Sequence, residues 1–313
     1  MNPNLLKAIQ RGDAIPSMPQ IAVRLLEILS DDEYRHADVA QLLSSDPAIA
    51  GDILRFANSP LFGLVRKVRQ LGHAITLLGM KRVRTLLISR CLVDGLEFRR
   101  GGPVDRGYFW RRSLISGALA AHFARLAAAA PGREEERDEA FIAGLLSDAG
   151  VAVLARALPA EYAPLGTQYA AEPAEKLVLR EREQFGVAHP EVSALVLEKW
   201  MLPEEIVRAV RQHHDAGGTP AAAADPLVRA VAGAAVIAPL LCAEPGTSDP
   251  ILPACRRGAT LAGADVSLLP QILHAIEADT LDLAGMLRIE VVPQRAYAQV
   301  ADALVQELAT TTP

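Results

Sequence analysis

Apolar residues recur every three or four positions along most of this chain, and glycine, proline or an Asp-Pro pair interrupts them at intervals of ten to twenty residues. That period predicts amphipathic helices. In PQIAVRLLEILSD the residues Ile21, Leu25, Leu26 and Leu29 share one face, and Val39, Leu42 and Leu43 do the same in VAQLL. Asp-Pro occurs at 46–47, 225–226 and 249–250. In each pair the carboxylate can cap free N–H groups while proline fills the first helical position. After the first pair, Ile49, Ile53, Leu54 and Ala57 form a stripe that predicts a helix from Pro47 to about Ala57. Leu71, Ala74, Ile75 and Leu78 precede a Gly79 stop, and Val83, Leu86, Leu87 and Cys91 mark a helix fading near Gly95.

FRRGGPVDRG, from Phe98 to Gly107, has no apolar period and is the clearest break in the chain. Beyond it the pattern predicts a long helix from about Tyr108 to Ala130, a charged loop and first turn in REEERDE, and one helical stretch from Glu139 to Leu158. EKLVLREREQFG is a helix with a glycine stop at Gly186, and Pro190 and Pro203 open two more. Three or four further helices follow Asp225, and IEVVP at 289–293 is the one short β-like run. The expected fold is all-α: an N-terminal helical bundle over 15–100, a helical core over 105–214, and a helical C-terminal extension over 215–313.

Composition supports this picture. Half of the 313 residues are apolar but only 4% are aromatic, so the core must be built from Leu, Ala, Val and Ile, which disfavours an all-β chain. The three cysteines, 91, 242 and 255, form no C-x-x-C pair, which suits a reducing cytoplasm. The N-terminal segment has no apolar stretch long enough for a signal peptide, and Val231–Ala243 is too short for a bilayer span, so no membrane partner is expected. A net charge of −5 argues against general attraction to nucleic acid. Between Arg66 and Arg112, however, twelve Lys and Arg face three acids. Arg66, Lys67, Arg69, Lys81, Arg82 and Arg84 are therefore candidate anion-binding residues, to be weighed against ordinary solvated helix faces.

No G-x-S-x-G elbow, P-loop or dinucleotide-binding glycine fingerprint is present. Histidine offers the remaining chemistry. His213 and His214 are consecutive on a predicted helix whose buried face carries Ile206 and Val210, so at least one should turn inward.

GLLSDAG at 144–150, then EREQFGVAHPEVSALVLEKWMLPEEIVRAVRQHH at 181–214, resemble the HDOD family, relatives of the HD and HD-GYP phosphohydrolases. IPSMP at 15–19, SSDPAIAGDILRFANSPLFG at 44–63 and HAITLLGMKRVRTL at 73–86 match the family's N-terminal half. The resemblance implies an HDOD domain over 15–214, with the HD-like core in its second half. In active relatives an early histidine, a His-Asp pair, further histidines and a late aspartate hold one or two metal ions that activate water. By that correspondence Asp148 keeps the aspartate of the pair, Ser147 replaces its histidine, and Arg112 stands at the early histidine. His189, His213 and His214 match the later histidines. The late aspartate has no counterpart in RAVAGAAVIA after Asp225.

With three ligand positions lost, no metal and no other cofactor is expected; any ion retained would sit on Asp148, His189, His213 and His214. If Arg112 enters the old cleft, its charge replaces the ion and pairs with Asp148. The resemblance implies bacterial signal transduction through binding rather than catalysis, with a signalling protein as partner and a nucleotide as a possible ligand. The competing expectations are a residual metal-dependent phosphohydrolase and a nucleotide or nucleic-acid sensor using the basic 66–112 segment.

Overall fold

A computed structural model of the chain describes residues 14–31, 33–59, 67–96, 98, 101–127, 134–171, 173–215, 225–242, 251–287 and 296–311. These residues are helical with no strand among them. The IEVVP run, Arg66, the third Asp-Pro pair and Pro131-Gly132 lie outside the described residues.

Among the described residues, five helices make the N-terminal bundle: α1 (Gln20–Leu29), α2 (His36–Ser44), α3 (Pro47–Asn58), α4 (Leu71–Leu78) and α5 (Met80–Gly95). The first Asp-Pro pair caps α3 as its sequence implies, with Asp46 accepting from the amides of Ala48 and Ile49 at 2.9 and 3.2 Å. Between α4 and α5 the chain turns at Gly79, whose φ of 77° a side chain would resist. Ile15 is buried, and the carbonyl of Pro16 accepts from the Trp200 indole at 3.1 Å, so the IPSMP segment ties the N-terminal bundle to the second half of the chain.

The second half begins with α6 (Arg106–Ala127), followed by α7 (Glu134–Leu146), α8 (Ala149–Ala157), α9 (Pro159–Ala171), α10 (Ala174–Phe185), α11 (His189–Lys199) and α12 (Glu204–Gln212). Two boundaries differ from expectation. Most of REEERDE is already helix, because α7 starts at Glu134 with acids where the helix dipole favours them. The apolar stretch from Glu139 to Leu158 is two helices rather than one, broken by a turn at Ser147-Asp148. Within Glu136–Ala157 an 18-residue window is apolar enough to suit a bilayer span, yet 89% of that window is buried inside the protein.

The C-terminal segment folds back onto this core as α13 (Pro226–Cys242), α14 (Ile251–Ala262), α15 (Leu269–Leu287) and α16 (Ala296–Thr311). Asp225 caps α13 by accepting from the amides of Leu227 and Val228. Alanines and Gly233 keep α13 narrow, and it is apolar nearly all round because it lies buried against α6 and α14. Helix α15 also packs on α6, where His122 and Asp279 meet at 2.8 Å.

Candidate functional site

The turn that splits the apolar stretch at Ser147-Asp148 creates the site. It leaves Asp148 preceding the first turn of α8, buried to 2% exposure. Gly150 lets the start of α11 approach: a Cβ there would lie 2.2 Å from the carbonyl of His189. The Gly150 amide donates to the Ser193 hydroxyl, which in turn donates to the Ser147 carbonyl, both at 2.7 Å. This stitch holds His189, the first residue of α11, opposite Asp148. The Ser147 hydroxyl turns away and donates to the Gly144 carbonyl at 2.9 Å.

The two oxygens of Asp148 meet different chemistry. Oδ2 lies 3.1 Å from Arg112 Nε and accepts the Tyr169 hydroxyl at 2.7 Å. The expected Arg112–Asp148 ion pair is therefore present. Arg112 is 1% exposed, stacks over the Tyr169 ring with its Cζ 4.5 Å from the centroid, and donates to the Tyr169 carbonyl at 3.2 Å. Burial pushes the Asp148 carboxyl up, but Arg112, with His213 and His189, outweighs it and holds the group well below the usual carboxylate range. For Arg112, burial works against the charge, and Asp148 and Tyr169 more than restore it.

Oδ1 faces three imidazoles instead. It lies 3.4 Å from His189 Nε2 and 3.6 Å from His213 Nε2, and makes no hydrogen bond among the described residues. His189 Nδ1 is 2.7 Å from Glu181 Oε2, which also accepts the His189 amide, while Glu181 Oε1 accepts the Tyr162 hydroxyl. His213 Nδ1 donates to the Val210 carbonyl at 2.6 Å. Both contacts place the Nδ1 proton outward and leave Nε2 aimed at Asp148. Burial lowers the His189 pKa, but Glu181 and Asp148 reverse this and leave it raised. Burial, His213 and His189 all drive His214 well below its usual value, so it is neutral.

Sequence periodicity implied that His213 or His214 would point inward; both do. Helix α12 ends at Gln212, and the turn that follows brings the two rings to a centroid distance of 3.9 Å. One ligand atom from each of Asp148, His189, His213 and His214 lies within 4.8 Å of the others. The donor set suits one ion. It does not suit two, because Arg112 and Ser147 bring no ligand where further ones are needed. Tyr169, Tyr162 and Glu181 were missed by sequence reasoning. Glu181 left a trace: it falls on the stripe of Leu177, Val178 and Phe185, a charge on a buried face.

Several residues of the basic segment have partners within the fold. Arg82 is buried and paired with Asp138, Lys81 pairs with Glu139 at 2.9 Å, and Arg90 pairs with Asp52 and Asp94. Arg84 donates to the Met201 carbonyl at 2.7 Å. Of the six anion-binding candidates, Lys67, Arg69 and Lys81 are exposed and Arg66 is outside the described residues. Arg82 and Arg90 thus serve buried acids distant from them in sequence.

The HDOD domain family model matches residues 15–216. An uncharacterized protein of Treponema pallidum is 27% identical over 207 residues, 65% of this chain and 39% of that protein, so the chain corresponds to well under half of it. Among solved structures, a Shewanella amazonensis protein provisionally named a phosphohydrolase superposes with a TM-score of 0.67 at 22% identity, covering 91% of this chain and 98% of that one. An HDOD domain protein of unknown function from Geobacter sulfurreducens gives 0.61 at 23% identity, covering 92% and 99%. A Marinobacter aquaeolei protein provisionally named for signal transduction gives 0.60 at 19% identity, covering 91% and 65%. At these identities the structures speak for the shared fold, while the family match spans most of the chain and includes every residue of the site. This chain is a member of the HDOD family.

Proposed function

We propose that this protein is a bacterial signal-transduction module that acts by binding a partner and does not hydrolyse phosphoesters. One observation carries the reading: the Arg112 guanidinium, buried and 3.1 Å from Asp148, stands where a hydrolytic centre would need an additional cation and an open approach for substrate. A guanidinium offers donors only, so it can neither ligate a second ion nor generate hydroxide. The partner is a signalling protein in the cytoplasm, a compartment that suits three free, buried cysteines. The burial of Arg82 against Asp138 weighs against an anion sensor that uses that residue.

The convergence of four metal-binding side chains favours a residual phosphohydrolase as the second reading. Incubation of purified protein with zinc, manganese or ferrous ion and a panel of phosphomonoesters, phosphodiesters and nucleotides separates the two. The expected result is no turnover with any ion. Metal-dependent turnover that disappears in Asp148→Asn would overturn the proposal.

A further inference from the structure

Four buried atoms that can act as acceptors face one another in this site, and none has a hydrogen-bond partner among the described residues. They are Asp148 Oδ1 and Nε2 of His189, His213 and His214. Asp148, His189 and His213 are 2%, 0% and 2% exposed, so bulk solvent does not bathe their polar atoms. An arrangement of like-signed lone pairs in a low-dielectric interior is costly unless a cation lies among them. A proton on His189 Nε2 is one such cation. It can serve the Asp148 contact at 3.4 Å, but it leaves Nε2 of His213 and His214 unpartnered.

We propose that these four atoms hold a single ion of the zinc class, in a closed site whose ligands fill every coordination position. The inference rests on the non-hydrolytic reading above and deepens it. Two ligands about 2.0–2.1 Å from a tetrahedral ion lie about 3.4 Å apart. The Oδ1 contacts to His189 and His213, 3.4 and 3.6 Å, already match that spacing. Glu181 and the Val210 carbonyl fix the two tautomers by taking the Nδ1 protons, the outer-shell arrangement that orients metal-bound imidazole. Arg112 and Tyr169 occupy Oδ2, so Asp148 binds through one oxygen and cannot bridge to a second ion. A site of three nitrogens and one oxygen leaves no position for the water a hydrolase activates. What it does is mechanical: the ion ties the start of α8, the start of α11 and the turn after α12. His214, the partly exposed member, is the ligand nearest solvent and the point of entry.

The test uses the full chain. Elemental analysis after exhaustive dialysis against a weak chelator should find about one ion per chain. Stripped protein should gain several degrees in Tm on adding zinc, and with cobalt(II) it should develop the intense visible bands of a four-coordinate ion. His214→Gln, a change at the partly exposed ligand, should fold with an unchanged circular dichroism spectrum yet lose the bound ion and the cobalt bands; His213→Gln should do the same. Stripped wild-type protein that shows neither a Tm shift nor cobalt bands would overturn the proposal, as would ion binding unchanged in both variants. The two readings are told apart. A bound ion with ion-dependent phosphoester turnover removes both the non-hydrolytic reading and the closed site, whereas no ion and no turnover removes the site and keeps the reading.

Discussion

Replacing Arg112 by methionine tests the centre of the structure directly. The substitution keeps much of the side-chain volume against Tyr169 but removes the only guanidinium in contact with Asp148, leaving a carboxylate of 2% exposure without its main counter-charge. Breaking a buried ion pair from one side costs about 3–5 kcal/mol. A chain of this size stands about 5–15 kcal/mol above its unfolded state, so the variant should fold but be markedly weakened. At roughly 2 °C per kcal/mol for a large domain, the loss corresponds to about 6–10 °C in Tm. The pH dependence carries a definite sign. In the wild type Asp148 is held below its unfolded value, so its contribution is present above that value and lost as pH falls through the folded one. In Arg112→Met the burial remains while its strongest opponent is gone, so the folded carboxyl rises and acid costs the variant less. The stability gap between the two proteins should therefore narrow on acidification. Urea unfolding of wild type, Arg112→Met, Asp148→Asn and the double variant, all in chelator, gives the cycle. A coupling below about 0.5 kcal/mol, or a gap that widens in acid, would refute the assignment.

Three further outcomes follow from the same coordinates. Gly150→Ala should cost about 3 kcal/mol or more, because its Cβ meets the His189 backbone carbonyl at 2.2 Å and must push α11 away from α8; chemical denaturation measures it. Arg82→Met should lower stability by about 3 kcal/mol through Asp138, while Lys67→Ala and Arg69→Ala should leave Tm within about 1 °C, since those side chains are exposed. The thiols of Cys91 and Cys242, pushed up to about 11 by burial, should resist alkylation at pH 8 in the native protein and react on unfolding; prompt reaction of either in the native state would contradict its placement.

The amino-acid sequence alone determined the class of fold and most helix boundaries, because both rest on local physics. Apolar period, Asp-Pro starts at 46 and 225, and glycine stops at 79 and 186 act over a turn or two, and the structure places those helix ends where they imply. The positions of Asp148, His189, His213 and His214 were legible through their motif, and so was the pairing of Arg112 with Asp148, since a buried carboxylate that has lost its ion needs another positive charge. Tertiary structure decided the rest. The break at Ser147-Asp148 carries no proline and little other stop signal between two apolar runs, and it is what frees Asp148 from a helix interior. Tyr169 and Tyr162 reach the site from α9, a helix whose sequence carries no sign of it, because hydrogen bonds between distant segments leave no periodic trace. Within the basic stretch, only the fold shows that Arg82 and Arg90 are turned inward onto acids at 138 and 52. Charge counted along a chain ignores long-range pairing, and only the packed structure brings opposite charges within a few ångströms.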